Sequence, residues 1–189
     1  MWQEGVPIKR YLEVKIPTVS MRREQTLAII GQGYVGLPLA MAAVDAGWTV
    51  IGIDNFAAKV AQINEGSSPV EDISDKQLQA AISNGDYIAT TDFSAVAQAS
   101  VVTICVPTPL DSKREPDLTL LRSAATGIAP HVSNETLVVS ESTSYPGTIR
   151  NYIKPAIEKY SKVKLAHEYA ISPERVDPGR VEWNQKNTP

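Results

Sequence analysis

The stretch TLAIIGQGYVGLPLAMAAVDAG, residues 26–47, decides the fold of this chain. Its first five residues are apolar or small enough to predict a buried strand, and glycines at positions 31, 33 and 36 follow directly. A mostly apolar helix is predicted from Tyr34 onward. A Gly-x-Gly-x-x-Gly spacing alone is weak evidence for any particular site, but its place between a strand and a helix makes that evidence stronger.

Each glycine of this turn has a separate expected role. Gly31 permits the tight turn, Gly33 lets the backbone approach a pyrophosphate, and Gly36 lets the helix pack close to the sheet. The start of the helix also offers unpaired N–H groups and the positive end of its dipole to phosphate. We therefore predict that the turn binds a dinucleotide through Gly31, Gly33, Tyr34, Val35 and Gly36.

An acidic residue at the end of the next strand would complete this site. Asp54 closes the predicted strand WTVIGID, residues 48–54, at the expected distance from the turn. Its carboxylate would accept hydrogen bonds from the adenosine ribose and repel a 2′-phosphate, which favours NAD over NADP. As an alternative, Asp54 caps the helix predicted to begin near Phe56.

The rest of the chain continues the alternation of strands and helices. Apolar strands that alternate with helices indicate an α/β fold with a doubly wound, mostly parallel, Rossmann-like sheet covered on both faces. We expect a single domain over residues 26–189, preceded by a leader over residues 1–25 that forms an edge strand or is disordered. Strands are predicted at 26–30, 48–54, 87–91, 100–106, 136–140 and 163–171, and helices at 34–47, 57–66, 74–85, 94–99, 117–132 and 147–161.

Composition narrows the function classes. The chain of 189 residues has 43% hydrophobic and 21% charged residues and a net charge of -3, which is ordinary for a globular protein. No long basic run marks a nucleic-acid or membrane surface, and no apolar run is long enough to span a bilayer. The single cysteine excludes an intramolecular disulfide and suits the cytoplasm. We expect no metal site, because His131 and His167 have no ligand spacing with other residues.

Four motifs occur in order, each at the end of a predicted strand. They are GQGYVGLPLA (31–40), VPTPLD (106–111), ESTSYPGT (141–148) and SPERVDPG (172–179). Together they resemble the nucleotide-sugar dehydrogenases, the UDP-glucose and UDP-N-acetylhexosamine 6-dehydrogenase family.

The resemblance implies further site residues. Val106, Pro107 and Thr108 match the loop along which the ribose and nicotinamide side of NAD passes. Glu141 matches a residue beside the cofactor. Thr143 matches a threonine that lies near the cofactor and positions a catalytic water.

The last motif implies a sugar-binding end of the pocket. Glu174 matches an acidic residue that assists hydrolysis and contacts the sugar, and Arg175 beside it is a candidate sugar contact. The Arg-Val-Asp-Pro sequence after Glu174 favours UDP-N-acetylglucosamine or UDP-N-acetylmannosamine over UDP-glucose.

The family oxidises the sugar C6 alcohol to a carboxylate in two hydride transfers to NAD. It holds the aldehyde on a cysteine, since a thiolate adds to the carbonyl and leaves well from the thioester. In the family this cysteine lies beyond the matched region. Cys105 is no substitute, because the sequence places it inside an apolar strand as a buried thiol.

We therefore expect the NAD-binding domain of such an enzyme, inactive alone. Its expected partners are a UDP-sugar substrate and either the missing C-terminal domain or a second copy in a homodimer. The alternative is a non-catalytic Rossmann module that senses NAD or serves as a scaffold.

Overall fold

A single parallel sheet forms the centre of the protein. The computed structural model describes residues 25–162 and 168–173. Within these residues six strands pair in the spatial order β3-β2-β1-β4-β5-β6, and every pair is parallel. The predicted doubly wound fold is confirmed. The strands are β1 (Thr26–Ile30), β2 (Thr49–Ile53), β3 (Tyr87–Thr90), β4 (Val101–Ile104), β5 (Leu137–Ser140) and β6 (Tyr169–Ile171).

Helices cover both faces of the sheet. Side chains of β1 alternate between the faces: Leu27 and Ile29 join an apolar cluster with the first three helices, whereas Ala28 and Ile30 join a second cluster on the opposite face. Burial on both faces explains why the central strands read as continuous apolar runs. The α-helices are α1 (Gly36–Asp45), α2 (Ala57–Asn64), α3 (Asp75–Ser83), α4 (Thr119–Ile128) and α5 (Lys154–Tyr160), with a 3-10 helix at Phe93–Gln98.

Side chains bind main-chain N–H groups at the starts of two helices, where Ser74 is the N-cap of α3 and Asp117 lies one residue before Leu118, the N-cap of α4. The Ser74 hydroxyl accepts a hydrogen bond from the N–H of Gln77, at 3.3 Å. Asp117 accepts one from the N–H of Thr119, at 2.8 Å. Each side chain satisfies a donor that has no partner within its helix.

The helix predicted over residues 147–161 is divided in two. A π-helical turn, Ile149–Ile153, leads into α5, and Pro155 is the second residue of α5. The missing N–H of a proline costs little in the first turn of an α-helix, because N–H groups there lack an intrahelical acceptor. The wide turn therefore ends where α5 begins, and Pro155 lies in the first turn of α5.

Chain order reverses between β1 and β4. The chain moves outward from β1 through β2 to β3 and then returns to the other side of β1 as β4. At such a reversal the loops after the two strands diverge toward opposite faces and leave a crevice at the carboxyl ends. The predicted site residues all follow strands, so this edge of the sheet is where they are expected to meet.

Some predictions fall outside the described residues. These are residues 1–24 of the leader predicted over 1–25, residues 163–167 of the last predicted strand, and everything from position 174 onward. None of the helices found within residues 25–162 and 168–173 has the length and apolar character needed to cross a bilayer.

Candidate functional site

The glycine turn joins β1 to its two neighbouring strands. Gly31 has a φ of +96°, and its N–H donates to the carbonyl of Ile53 at the end of β2, at 2.7 Å. A Cβ at Gly31 would lie 2.7 Å from the carbonyl oxygen of Cys105, which follows β4. Both the positive φ and this close approach require glycine.

The other two glycines of the turn differ in their surroundings. A Cβ at Gly36 would overlap the carbonyl oxygen of Gly31, so the tight packing of α1 on the turn depends on glycine there. A Cβ at Gly33 would meet no atom within 4 Å. The fold itself leaves the space beside Gly33 open, and a molecule bound over the turn would use it.

Two adjoining cavities lie over the turn. Their volumes are about 350 and 370 Å³, within the range of small-molecule sites. Ten of the eleven residues predicted to bind the cofactor line them, and Gly36 lies buried beneath. The ten are Gly31, Gly33, Tyr34, Val35, Asp54, Val106, Pro107, Thr108, Glu141 and Thr143.

The Asp54 carboxylate has a dense set of partners. Its Oδ2 accepts from the main-chain N–H of Gln32 at 2.9 Å and from Lys59 Nζ at 2.7 Å, and its Oδ1 accepts from the N–H of Phe56 at 3.0 Å. Burial raises the pKa of this carboxyl, but the hydrogen bonds from Lys59, Gln32 and Phe56 outweigh burial, so its pKa lies below the ordinary value. Asp54 is therefore ionised at neutral pH, and it serves both the helix start and the cavity.

Lys59 is a site residue that the sequence reasoning missed. It lies in the first turn of α2, lines both cavities and forms the ion pair with Asp54. The only feature of the sequence that indicates its role is its position five residues after Asp54. A cation at this point can contact an adenosine ribose or a phosphate in the same cavity.

The opposite rim of the crevice consists of the loops after β4 and β5. The buried Ser142 hydroxyl lies 2.8 Å from the carbonyl oxygen of Val106 and 3.3 Å from that of Ile104, so it can donate to either. The Thr108 hydroxyl donates to the carbonyl of Thr143. These bonds join the two loops and leave Glu141 half-buried and Thr143 exposed beside the cavity.

The placement predicted for Cys105 is wrong in part. Strand β4 ends at Ile104, so Cys105 follows the strand, is half-buried and lines the cavity nearest the glycine turn. The apolar run continued past the strand because the loop beyond β4 packs against the turn. Glu174 and Arg175 lie outside the described residues.

Comparison with known proteins agrees with this geometry. Residues 25–188 match the UDP-glucose/GDP-mannose dehydrogenase family, NAD binding domain. The chain belongs to this family.

Relatives in the family include sugar-nucleotide dehydrogenases of several bacteria. A UDP-N-acetyl-D-glucosamine 6-dehydrogenase of Pseudomonas aeruginosa is 32% identical over 164 residues, which are 85% of this chain and 37% of that protein. A UDP-N-acetyl-D-mannosamine dehydrogenase of Yersinia pestis is 37% identical over 166 residues, 83% of this chain and 39% of that protein. A GDP-mannose dehydrogenase of P. aeruginosa, solved as a ternary complex, superposes with a TM-score of 0.76 at 34% identity, covering 80% of this chain and 36% of that one.

The coverage values show what share of these relatives this chain matches. The chain spans between 36% and 39% of the length of these relatives, and the shared part is their NAD-binding domain. The predicted resemblance is confirmed for this domain of a nucleotide-sugar dehydrogenase.

Proposed function

We propose that this chain supplies NAD binding and part of the sugar site of a UDP-sugar 6-dehydrogenase. Its substrate would be UDP-N-acetylglucosamine or UDP-N-acetylmannosamine. The observation that carries the proposal is the open space beside Gly33, flanked by the start of α1 and by an ionised Asp54. NAD held over the glycine turn and Asp54 would supply the hydride acceptor for oxidation at C6 of the sugar, one NAD molecule for each of the two steps.

The glycine turn would hold the pyrophosphate. Gly33, Tyr34 and Val35 line the cavity at the start of α1, and the main-chain N–H groups of a first helical turn point out of that end of the helix. The positive end of the helix dipole favours an anion at the same place. This rim of the crevice would therefore bind phosphate through its backbone, with Lys59 as a cation in the same cavity.

Asp54 and Lys59 would hold the adenosine ribose. An ionised carboxylate has about four acceptor positions, and internal donors occupy three of those on Asp54. The fourth, on Oδ1, remains for a ribose hydroxyl. The negative charge of Asp54 disfavours a 2′-phosphate, although Lys59 weakens that repulsion.

The loops after β4 and β5 would place the nicotinamide end against the sugar. Thr143 is exposed on the same cavity as the glycine turn, which suits its proposed role of positioning a water for hydrolysis. Glu141 would lie beside the cofactor, with Val106, Pro107 and Thr108 along the ribose. Glu174 and Arg175 stay predictions for the sugar end, and the names of the relatives favour an N-acetylhexosamine substrate.

Calorimetric titration of the chain with NAD, NADP and UDP-N-acetylglucosamine separately tests the proposal. We expect weak NAD binding, weaker NADP binding and no NADH formation from the sugar nucleotide by this chain alone. Asp54→Ala should weaken NAD binding about tenfold or more, since a charged hydrogen-bond partner is lost. The control Asp72→Ala removes an exposed acidic side chain outside both cavities and should leave NAD binding unchanged.

Three results would contradict parts of this proposal. Absence of NAD binding to the wild-type chain would refute the cofactor site. Tight NAD binding together with indifference to the sugar nucleotide would favour an NAD sensor. NADH production from UDP-N-acetylglucosamine would refute the expectation that the chain alone is inactive.

A further inference from the structure

A polar side chain lies fully buried directly beneath the glycine turn. Gln32, the second residue of the turn, has no exposed surface. Its Nε2 donates to the carbonyls of Ile29, at 2.9 Å, and Gly31, at 3.2 Å. A buried amide with all these bonds fixes the path of the backbone around it, because each lost bond would leave a buried polar group without a partner.

The third bond of this amide comes from two strands away. The Tyr87 hydroxyl, at the start of β3, donates to Gln32 Oε1 at 2.8 Å. The hydroxyl reaches across β2 at Gly52, where a Cβ would overlap both the phenol oxygen and the amide. Tyr87 is 2% exposed, and burial, with the nearby charge of Asp54, raises the pKa of its phenol, so it stays a donor.

Gln32 also connects the turn to the acid of the candidate ribose site. Its main-chain N–H donates to Asp54 Oδ2, while its side chain is held by Tyr87. One residue therefore sets the position of the phosphate-binding turn and of the carboxylate together. Tyr87 lies outside both cavities, so any effect it has on a ligand passes through Gln32.

We propose that Tyr87 is a positioning residue for NAD, acting through Gln32 to hold the glycine turn and Asp54 in the binding geometry. The proposal rests on the NAD site proposed above. A turn held in its bound shape does not have to be ordered by the ligand, and this raises affinity without any new contact to it. Loss of the tyrosine hydroxyl would leave the Gln32 oxygen buried without its donor and allow the turn to shift.

The first test compares the NAD affinity of two tyrosine variants by calorimetry well below the unfolding temperature. Tyr87→Phe removes only the hydroxyl and should raise the Kd for NAD about fivefold, as expected for one hydrogen bond. Tyr160→Phe removes an exposed hydroxyl at the end of α5, outside both cavities, and should leave the Kd unchanged.

A double variant separates positioning from stability. Tyr87→Phe and Gln32→Met should each lower the melting temperature, because each leaves one member of the hydroxyl–amide pair buried without its partner. The double variant should recover the part of the Gln32→Met loss that comes from the unpaired hydroxyl, while the carbonyls of Ile29 and Gly31 stay without the amide donor. The Kd for NAD should stay raised in the double variant, because the turn is no longer held. Recovery of NAD affinity together with stability would overturn the proposal and leave the pair a purely structural role.

The two proposals fail in different ways. If the wild-type chain does not bind NAD, the cofactor site itself is refuted, and the positioning role with it. If wild type binds NAD and Tyr87→Phe binds it equally well, only the positioning role is refuted.

Discussion

The two rims of the crevice are constructed differently. On the rim formed by β1 and β2, Gln32 and Asp54 are buried and their hydrogen bonds go to fixed partners inside the domain. On the rim formed by β4 and β5, Glu141 is half-buried and Thr143 is exposed, and both line the cavity. The acid and the amide of the first rim are held by bonds within the domain, whereas the acid and the threonine of the second rim lie along the cavity.

The difference follows from what each rim would bind. A pyrophosphate and a ribose are the same in every turnover, so a preorganised set of donors and acceptors suits them. Under the proposed function, groups near a reacting sugar would exchange partners as the reaction proceeded. Rigid backbone with exposed side chains, as in the loops joined by Ser142, provides both stability and access.

The largest expected effect on stability comes from one of two glycine substitutions in the first rim. Gly36→Ala places a Cβ against the Gly31 carbonyl and should lower the free energy of unfolding by about 3 kcal/mol, at the upper end for overpacking. Gly33→Ala meets open space, so its stability should stay within about 1 kcal/mol of wild type. Urea denaturation measures both.

The NAD affinity of Gly33→Ala separates a role of the glycine turn in ligand binding from its role in folding. Gly33→Ala should fold normally yet bind NAD at least about tenfold more weakly, since the added methyl group enters the space proposed for the pyrophosphate. Equal NAD affinity in Gly33→Ala and wild type would show that the ligand does not approach this backbone.

The pH dependence of stability tests the buried acid of the first rim. Hydrogen bonds lower the folded-state pKa of Asp54 below 3.8, so its contribution is complete above that pH and lost as pH falls through the folded pKa. Asp54→Asn should cost about 2 kcal/mol at neutral pH, as for a hydrogen-bonded charge. Denaturation of both proteins should give a constant difference from about pH 5 to 8 that shrinks only in stronger acid.

If the stability difference between Asp54→Asn and wild type changed between pH 5 and 8, another group would have to titrate together with Asp54. The carbonyl of Thr90 accepts a hydrogen bond from the N–H of Asp54, so the backbone of residue 54 should keep its position in the asparagine variant. Retained secondary structure by circular dichroism checks this.

For the first rim, the sequence predicted which residues lie there better than it predicted the hydrogen bonds between them. Gly31, Gly36 and Asp54 were found because a strand, a turn and a second strand impose their spacing on the chain. Lys59 was missed, because its role depends on which way the first turn of α2 faces. Tyr87 is 55 positions from Gln32, and no local pattern indicates a hydrogen bond across an intervening strand.

For the second rim, the sequence indicated where the two motifs lie but not where strand β4 ends or which hydrogen bonds join the loops. The motifs at 106–111 and 141–148 were placed correctly at strand ends, which parallel topology brings to one edge. The position of Cys105 was wrong because an apolar run does not show where a strand stops pairing. The hydroxyl bonds of Ser142 and Thr108 could not be predicted, since serine and threonine in loops have many possible acceptors.

The smallest expected effects come from the hydroxyl bonds between the loops of the second rim. Ser142→Ala removes a buried hydroxyl that lies within reach of two carbonyls and should lower the free energy of unfolding by about 1 kcal/mol. Thr108→Val removes a more exposed bond and should cost only about 0.5 kcal/mol. Neither residue belongs to the first rim, so the stability difference between Gly36→Ala and wild type should be unchanged when either is combined with it. Coupling of more than about 0.5 kcal/mol in urea denaturation would mean that the two rims depend on each other through the contact of Gly31 with the loop after β4.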